Sequence, residues 1–239
     1  MTDPKVLIFD SISQLVENFS LFFIDLIKQK EGDFCVALSG GSTPKVWFEE
    51  LAKNHKTDIP WGKVHFYWGD ERCVPPEDEE SNFGMTKKYL LDHVHIPPQN
   101  IHRIHGELTP EQAAKNYENE LVQHLTMDRF PIFDLVILGM GDDAHTASIF
   151  PHQIALWNSS KSCVIATHPV SGQHRVSISG GVINNARAVA FLVTGKNKTE
   201  KVGEIIHKKP IAVNYPASLV APKKGLLRWF LDSSAAQNL

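Results

Sequence analysis

Two short apolar runs constrain this chain more than any other feature. Phe34-Cys-Val-Ala-Leu38 passes straight into Ser39-Gly-Gly-Ser-Thr-Pro44, and Phe133-Asp-Leu-Val-Ile-Leu138 passes straight into Gly139-Met-Gly-Asp-Asp-Ala-His145. A strand with one wet face alternates apolar and polar residues. These runs do not, so they read as strands covered on both faces, each ending in a chemically rich turn. Further strands fit 63–68, 162–167, 174–179, 187–194 and 225–231. Helical spacing appears over 13–29 (Leu15, Val16, Phe19, Phe22, Phe23, Leu26, Ile27), and helices fit 82–93, 110–125 and 197–208. A helix from Pro44 to about Asn54 is expected, with Thr43 or Ser42 as its cap. Strands alternating with helices predict a three-layer α/β/α, Rossmann-like fold with a mostly parallel sheet. In such sheets ligands gather beyond the carboxyl ends of the strands. No repeat or linker divides the chain, so residues 1–239 are expected to form one α/β domain, with Pro97-Pro98 in a loop.

Composition narrows the function classes. A formal charge of −3 over 239 residues gives no general pull toward nucleic acid or membrane, so local basic residues must hold any anionic ligand. The three cysteines, Cys35, Cys73 and Cys163, are odd in number and form no Cys-x-x-Cys, which suits buried thiols in a reducing compartment. The opening Met1-Thr-Asp-Pro-Lys-Val-Leu-Ile lacks a secretory pattern, and runs such as Leu21-Phe-Phe-Ile24 are too short to span a bilayer. A cytoplasmic, monomeric protein acting on a small molecule is the expectation.

The strand-end turns carry the chemistry. Gly40 and Gly41 let backbone amides approach an anion, Ser42 and Thr43 add hydroxyls, and a following helix start adds unpaired N–H groups. The bland reading is a glycine-rich connection between strand and helix. Ala37-x-Ser39-x-Gly41 imitates a nucleophile elbow, but the intervening Gly-Gly-Ser-Thr makes too wide a loop, which discounts Ser39 as a nucleophile. Gly139-x-Gly141-x-x-Ala144 matches a loose dinucleotide fingerprint. Asp142 and Asp143 would repel a pyrophosphate there, and Ile165-Ala-Thr-His168 offers no acid for a ribose. As a catalytic turn the same residues fit better. His145 can move a proton near neutral pH, and Asp143 can fix its tautomer. The alternative is that Asp142 or Asp143 only caps a helix beginning near Thr146. Arg72 offers a guanidinium fork for phosphate, or else an ion pair to Asp70 or Glu71. Arg175 and Lys198 could equally be solvated. The twelve histidines include His93-x-His95 and His102-x-x-His105, which lack a metal-binding pattern; these read as loop and surface histidines, and neither metal nor cofactor is expected.

Taken in order, Ser39-Gly-Gly-Ser-Thr-Pro44, Asp70-Glu-Arg-Cys-Val-Pro75 with Ser81-Asn82-Phe83, Gly139 to Pro151, Pro169-Val-Ser-Gly-Gln-His-Arg175, Thr194-Gly195 with Lys198, and Gly225-Leu-Leu-Arg-Trp-Phe-Leu-Asp232 resemble the motifs of the 6-phosphogluconolactonase family. The resemblance spans essentially the whole chain. It implies a fold similar to the glucosamine-6-phosphate deaminase and ribose-5-phosphate isomerase group. It also implies hydrolysis of 6-phospho-D-glucono-1,5-lactone to 6-phospho-D-gluconate in the oxidative pentose phosphate pathway. Matched by position, His145 becomes the catalytic histidine and Asp143 its acidic companion. Arg72, Arg175 and Lys198 match basic positions near the phosphosugar, with Gly40, Gly41, Ser42 and Thr43 in the anion loop. Ala144 departs from the family's usual glycine and would be strained at positive φ. The resembling deaminases continue after the histidine with Ile-Ala-Phe-Asn-Glu-Pro, where this chain has Thr146-Ala-Ser-Ile-Phe-Pro151.

Overall fold

The computed structural model describes residues 4–239. Ten strands and six α-helices run in the order β1 Lys5–Phe9, α1 Ile12–Gln29, β2 Phe34–Leu38, α2 Ser42–Asn54, β3 Val64–Trp68, β4 Asp70–Arg72, α3 Asn82–Thr86, β5 Ile101–His102, α4 Pro110–His124, β6 Leu135–Leu138, β7 Cys163–Thr167, β8 His174–Ile178, α5 Gly180–Ile183, β9 Ala188–Val193, α6 Thr199–Ile206 and β10 Leu226–Asp232. Seven strands form one sheet in the order β1-β10-β9-β6-β2-β3-β5, and every pairing in it is parallel. Helices on its faces complete a three-layer α/β/α arrangement.

The all-apolar runs are the central strands. β6 is fully buried, as is β9, and β2 is buried except at Cys35. Helix α1 begins at Ser11, whose Oγ accepts the Gln14 N–H at 3.2 Å. Its buried stripe places Phe19 edge-on to Trp47 of α2 (4.9 Å between ring centroids) and to Phe230 of β10 (5.0 Å). Each such side chain contributes roughly 1.5–3 kcal/mol by burial, which clamps both helices onto the sheet. Among the described residues no helix is long and apolar enough to cross a membrane. Cys163 is buried, Cys35 and Cys73 are half-buried, and all three are free thiols.

The strand order locates the site. β2 and β6 are neighbours, yet β2 connects onward to β3 on one side while β6 leads toward β9 on the other. Connections that diverge from adjacent parallel strands leave a crevice at their carboxyl ends. Ser39-Gly40-Gly41 and Gly139-Met140-Gly141 border that crevice.

Several expectations are corrected. Strands 162–167 and 174–179 do not join the parallel sheet. The link from Thr167 to His174 is too short for a parallel crossover. β7 and β8 therefore pair antiparallel and take β4 as a third strand in a separate sheet. No helix starts at Thr146, because Ala144 (φ 64°) and Ala147 (φ 48°) are both left-handed; Thr146 and Ile149 instead close a small bridged turn. Helix α2 is capped by neither Ser42 nor Thr43. Gly41, at φ 109°, is the cap residue, and the Thr43 hydroxyl shares a 2.7 Å hydrogen bond with that of Thr194. The segment from 82 is a five-residue helix followed by a π-turn at Lys87–Leu91, closed by the Asp92 N–H on the Lys87 carbonyl. His102 is not a surface histidine: it is buried on β5.

Candidate active site

The carboxyl-end loops enclose a cleft of about 220 Å³. Gly40, Gly41, Ser42, Thr43, Arg72, His145, Arg175 and Lys198 all line it, so the residues singled out in the sequence converge on one opening. Asp143 stands just behind His145. The amides of Ser42 and Thr43 are in the first turn of α2, where no intrahelical acceptor exists, so they and the positive end of the helix face the cleft. Glycine at position 40 reflects crowding: a Cβ there would stand 1.8 Å from the Asn82 Oδ1.

The His145 turn is tightly closed. The Ala144 N–H donates to the Gly141 carbonyl (3.0 Å), and the Gly141 N–H donates to the His145 carbonyl (2.9 Å). The Asp143 Oδ1 accepts both the His145 backbone N–H (3.0 Å) and its ring Nδ1 (2.6 Å). A carboxylate only accepts, so Nδ1 carries the hydrogen, and in the neutral ring Nε2 presents a lone pair. Nε2 has no partner among the described residues. Burial alone would lift the Asp143 carboxyl, but the hydrogen bond and charge of His145 hold it below the usual aspartate value. Gly141 makes room for the pair: a Cβ there would meet the His145 Nδ1 at 2.1 Å. Phe150 supports the imidazole from beneath, 4.6 Å between centroids. Ala144 does adopt positive φ and is fully buried, so the strain anticipated at this position is present.

Asp142 and Asp143 separate in role. Asp142 pairs with Lys198 and accepts the Asn197 amide at 2.7 Å; the Lys198 bond holds its carboxyl low, against a smaller effect of burial. Lys198 thus reaches the cleft with part of its charge already countered.

The arginines form no direct ion pair among the described residues. Arg72 and Arg175 are directly paired across β4 and β8, an arrangement that sets like charges side by side. Among the described residues neither has a carboxylate within 4.0 Å. Arg72 donates Nη1 to the Glu80 carbonyl (2.6 Å), while its Nε is buried without an acceptor. Arg175 lies over the Phe150 ring at 5.6 Å, with Nε 3.3 Å from the Gln173 Oε1. Burial, then the like charge of Arg72, push its guanidinium below the ordinary value. Two adjacent half-desolvated guanidinium groups favour a dianion between them.

Sequence reasoning missed the groups that hold this frame. Glu71 does not pair with the Arg72 guanidinium. Its buried carboxylate accepts the backbone N–H groups of Arg72 (2.8 Å), Asn82 (2.7 Å) and Phe83 (2.7 Å) and the Ser81 hydroxyl (3.1 Å). Burial nevertheless raises its pKa to about 7. Asn82 lines the cleft and donates to the Asp70 carbonyl at 2.9 Å. Only the spacing of Asp70-Glu-Arg and Ser81-Asn-Phe hinted at this contact.

The comparisons agree with one another. The family described as glucosamine-6-phosphate isomerases/6-phosphogluconolactonase matches residues 10–229. A 6-phosphogluconolactonase of Haemophilus influenzae is 44% identical over 205 residues, covering 85% of this chain and 87% of that protein. One from Aggregatibacter actinomycetemcomitans is 40% identical over 232 residues, covering 97% and 98% respectively. A crystal structure of a devB protein superposes with a TM-score of 0.92 at 38% identity, covering 98% of this chain and 99% of that one.

Proposed function

The chain belongs to the glucosamine-6-phosphate isomerase/6-phosphogluconolactonase family, and we propose that it hydrolyses 6-phospho-D-glucono-1,5-lactone to 6-phospho-D-gluconate in the oxidative pentose phosphate pathway. The observation that carries this reading is the Asp143–His145 pair, opening into a cleft whose other wall holds two arginines without carboxylate partners.

The ester needs no covalent nucleophile. The phosphate is taken up by Arg72 and Arg175, with Lys198 and the α2 N-terminus at Ser42 and Thr43 adjoining. This fixes the distant end of the substrate and turns the carbonyl toward His145. Nε2 of His145 accepts a proton from water as the oxygen attacks the carbonyl carbon. Charge builds on the former carbonyl oxygen, which the glycine-turn amides or a nearby cation stabilise. Asp143 stabilises the imidazolium. The tetrahedral centre collapses, the bond to the ring oxygen breaks, and His145 returns its proton to that oxygen. Acid–base assistance of this kind contributes ~10²–10⁴-fold, with positioning through the phosphate adding to it. We read residues 1–239 as one unit that works as a cytoplasmic monomer without a cofactor.

The related amino-sugar chemistry is disfavoured by Phe150. Where the resembling deaminases place a glutamate, this chain places a fully buried phenyl ring against His145. Initial rates on freshly prepared lactone and on glucosamine 6-phosphate separate the two. The proposal expects acid release from the lactone well above its spontaneous rate and no ammonia from the amino sugar. The reverse result overturns it.

A further inference from the structure

At the edge of the parallel sheet, away from the residues that line the cleft, lies a second cluster of chemistry-bearing side chains. His102 projects from β5. Glu120 and His124 stand one turn apart on α4. One donor atom from each of the three lies within 4.8 Å of the others. The Glu120 Oε1 is 2.6 Å from the His102 Nδ1 and 3.5 Å from the His124 Nε2. We propose that His102, Glu120 and His124 bind a divalent transition-metal ion of the zinc type.

The donor set selects the ion. Two imidazoles and one carboxylate suit zinc, cobalt or nickel, whereas magnesium and calcium prefer all-oxygen sites. Zinc holds nitrogen at ~2.0–2.1 Å and carboxylate oxygen at ~2.0–2.2 Å, with water completing an open site. The required contraction falls on the less enclosed groups, because the Glu120 and His124 side chains are 36% and 41% exposed. His102, only 3% exposed, is the fixed member. Tyr67 holds its plane by stacking at 4.2 Å and 5°.

The groups behind His102 give a second reason. Its Nε2 is 3.0 Å from the His65 Nδ1, and the His65 Nε2 faces the Asp33 Oδ2 at 3.7 Å. With one proton on each ring and no metal, His102 Nδ1–H points at the Glu120 carboxylate, so Nε2 accepts from His65. That leaves the His65 Nε2 lone pair facing a carboxylate. With a cation on the His102 Nδ1, both tautomers reverse: His102 Nε2–H donates to His65, and His65 Nε2–H points toward the Asp33 carboxylate. Each ring keeps one proton, and the 3.7 Å contact with Asp33 turns from repulsive to attractive. A ligating histidine whose second nitrogen donates onward through such a chain is the usual support of a metal site.

Zinc titrated calorimetrically into the chelator-treated full chain tests this, with cobalt absorption reporting coordination geometry. The result expected is saturable binding of one equivalent. H124A and E120Q should each weaken it more than 10-fold, and H65F should weaken it by ~10–100-fold as loss of a supporting partner does. H105A, an exposed histidine outside the cluster, should leave it unchanged. Absence of one-equivalent binding, or equal affinity in wild type, H124A and E120Q, overturns the proposal. Because no lactone is involved, the outcome is independent of the hydrolytic reading.

Discussion

Replacing Asp143 with asparagine probes the proton-handling pair without altering its volume. The carboxylate makes a 2.6 Å charge-assisted bond to the His145 Nδ1 and a second bond to its backbone N–H. Hydrogen bonds to charged groups contribute ~1.5–3 kcal/mol, which is roughly 10- to 150-fold in rate if the charge matters only once the imidazolium has formed. Asparagine can also turn its NH₂ toward Nδ1. The ring would then hold its hydrogen on Nε2 and could not accept one from water, so the loss would approach the full ~10²–10⁴-fold of acid–base assistance. Asp143 does not line the cleft, so substrate binding should hold. Initial-rate acid release from fresh lactone, corrected for spontaneous hydrolysis, is the assay. The expected pattern is a fall in kcat of at least about 10-fold with KM within a factor of about three. A D143N enzyme with near-normal kcat, or one impaired only through KM, would refute the assigned role.

Other substitutions address the rest of the site. R175M removes one of two unpaired guanidinium groups: KM should rise roughly 10- to 150-fold, while the ligand-free melting temperature should hold or rise as like-charge repulsion is relieved. A144G relieves a left-handed alanine worth ~1–2 kcal/mol but frees the unfolded chain by ~0.4–1 kcal/mol, so the urea unfolding free energy should hold or rise by up to about 1.6 kcal/mol, with turnover kept. Glu71 has its pKa raised to about 7 in the folded chain. Its stabilising share is therefore present below the ordinary glutamate value and lost as pH climbs through about 7, of order 3 kcal/mol. Unfolding free energies of wild type and E71Q between pH 4.5 and 7 should show a downward slope that the variant lacks.

Much of the fold was legible because buried strands carry their own signature. Phe34–Leu38 and Leu135–Leu138 need no context to read as doubly covered, and the turns after them mark one rim. The antiparallel sheet was not legible in the same way. β4 has three residues, Asp70–Arg72, and takes its strand form from pairing with β8. β1 is a half-exposed edge strand, and β5 is two residues long, too short for any pattern. At the site, His145, Arg72 and Arg175 stood out by residue type. Which aspartate faces the imidazole depended on backbone geometry, since Ala144 at φ 64° swings Asp143 toward His145 and leaves Asp142 to Lys198. The His102 cluster leaves no local sequence pattern, because the partners of His102 come from α4 and meet it only across the fold.

The central claim is that the imidazole of His145 moves the proton while separate groups hold the phosphate. Measuring H145A for both lactone turnover and calorimetric binding of 6-phosphogluconate tests it in one protein. The account predicts a kcat lowered by ~10²–10⁴-fold with product affinity nearly intact. Turnover close to wild type, with the cleft still binding product, would contradict it.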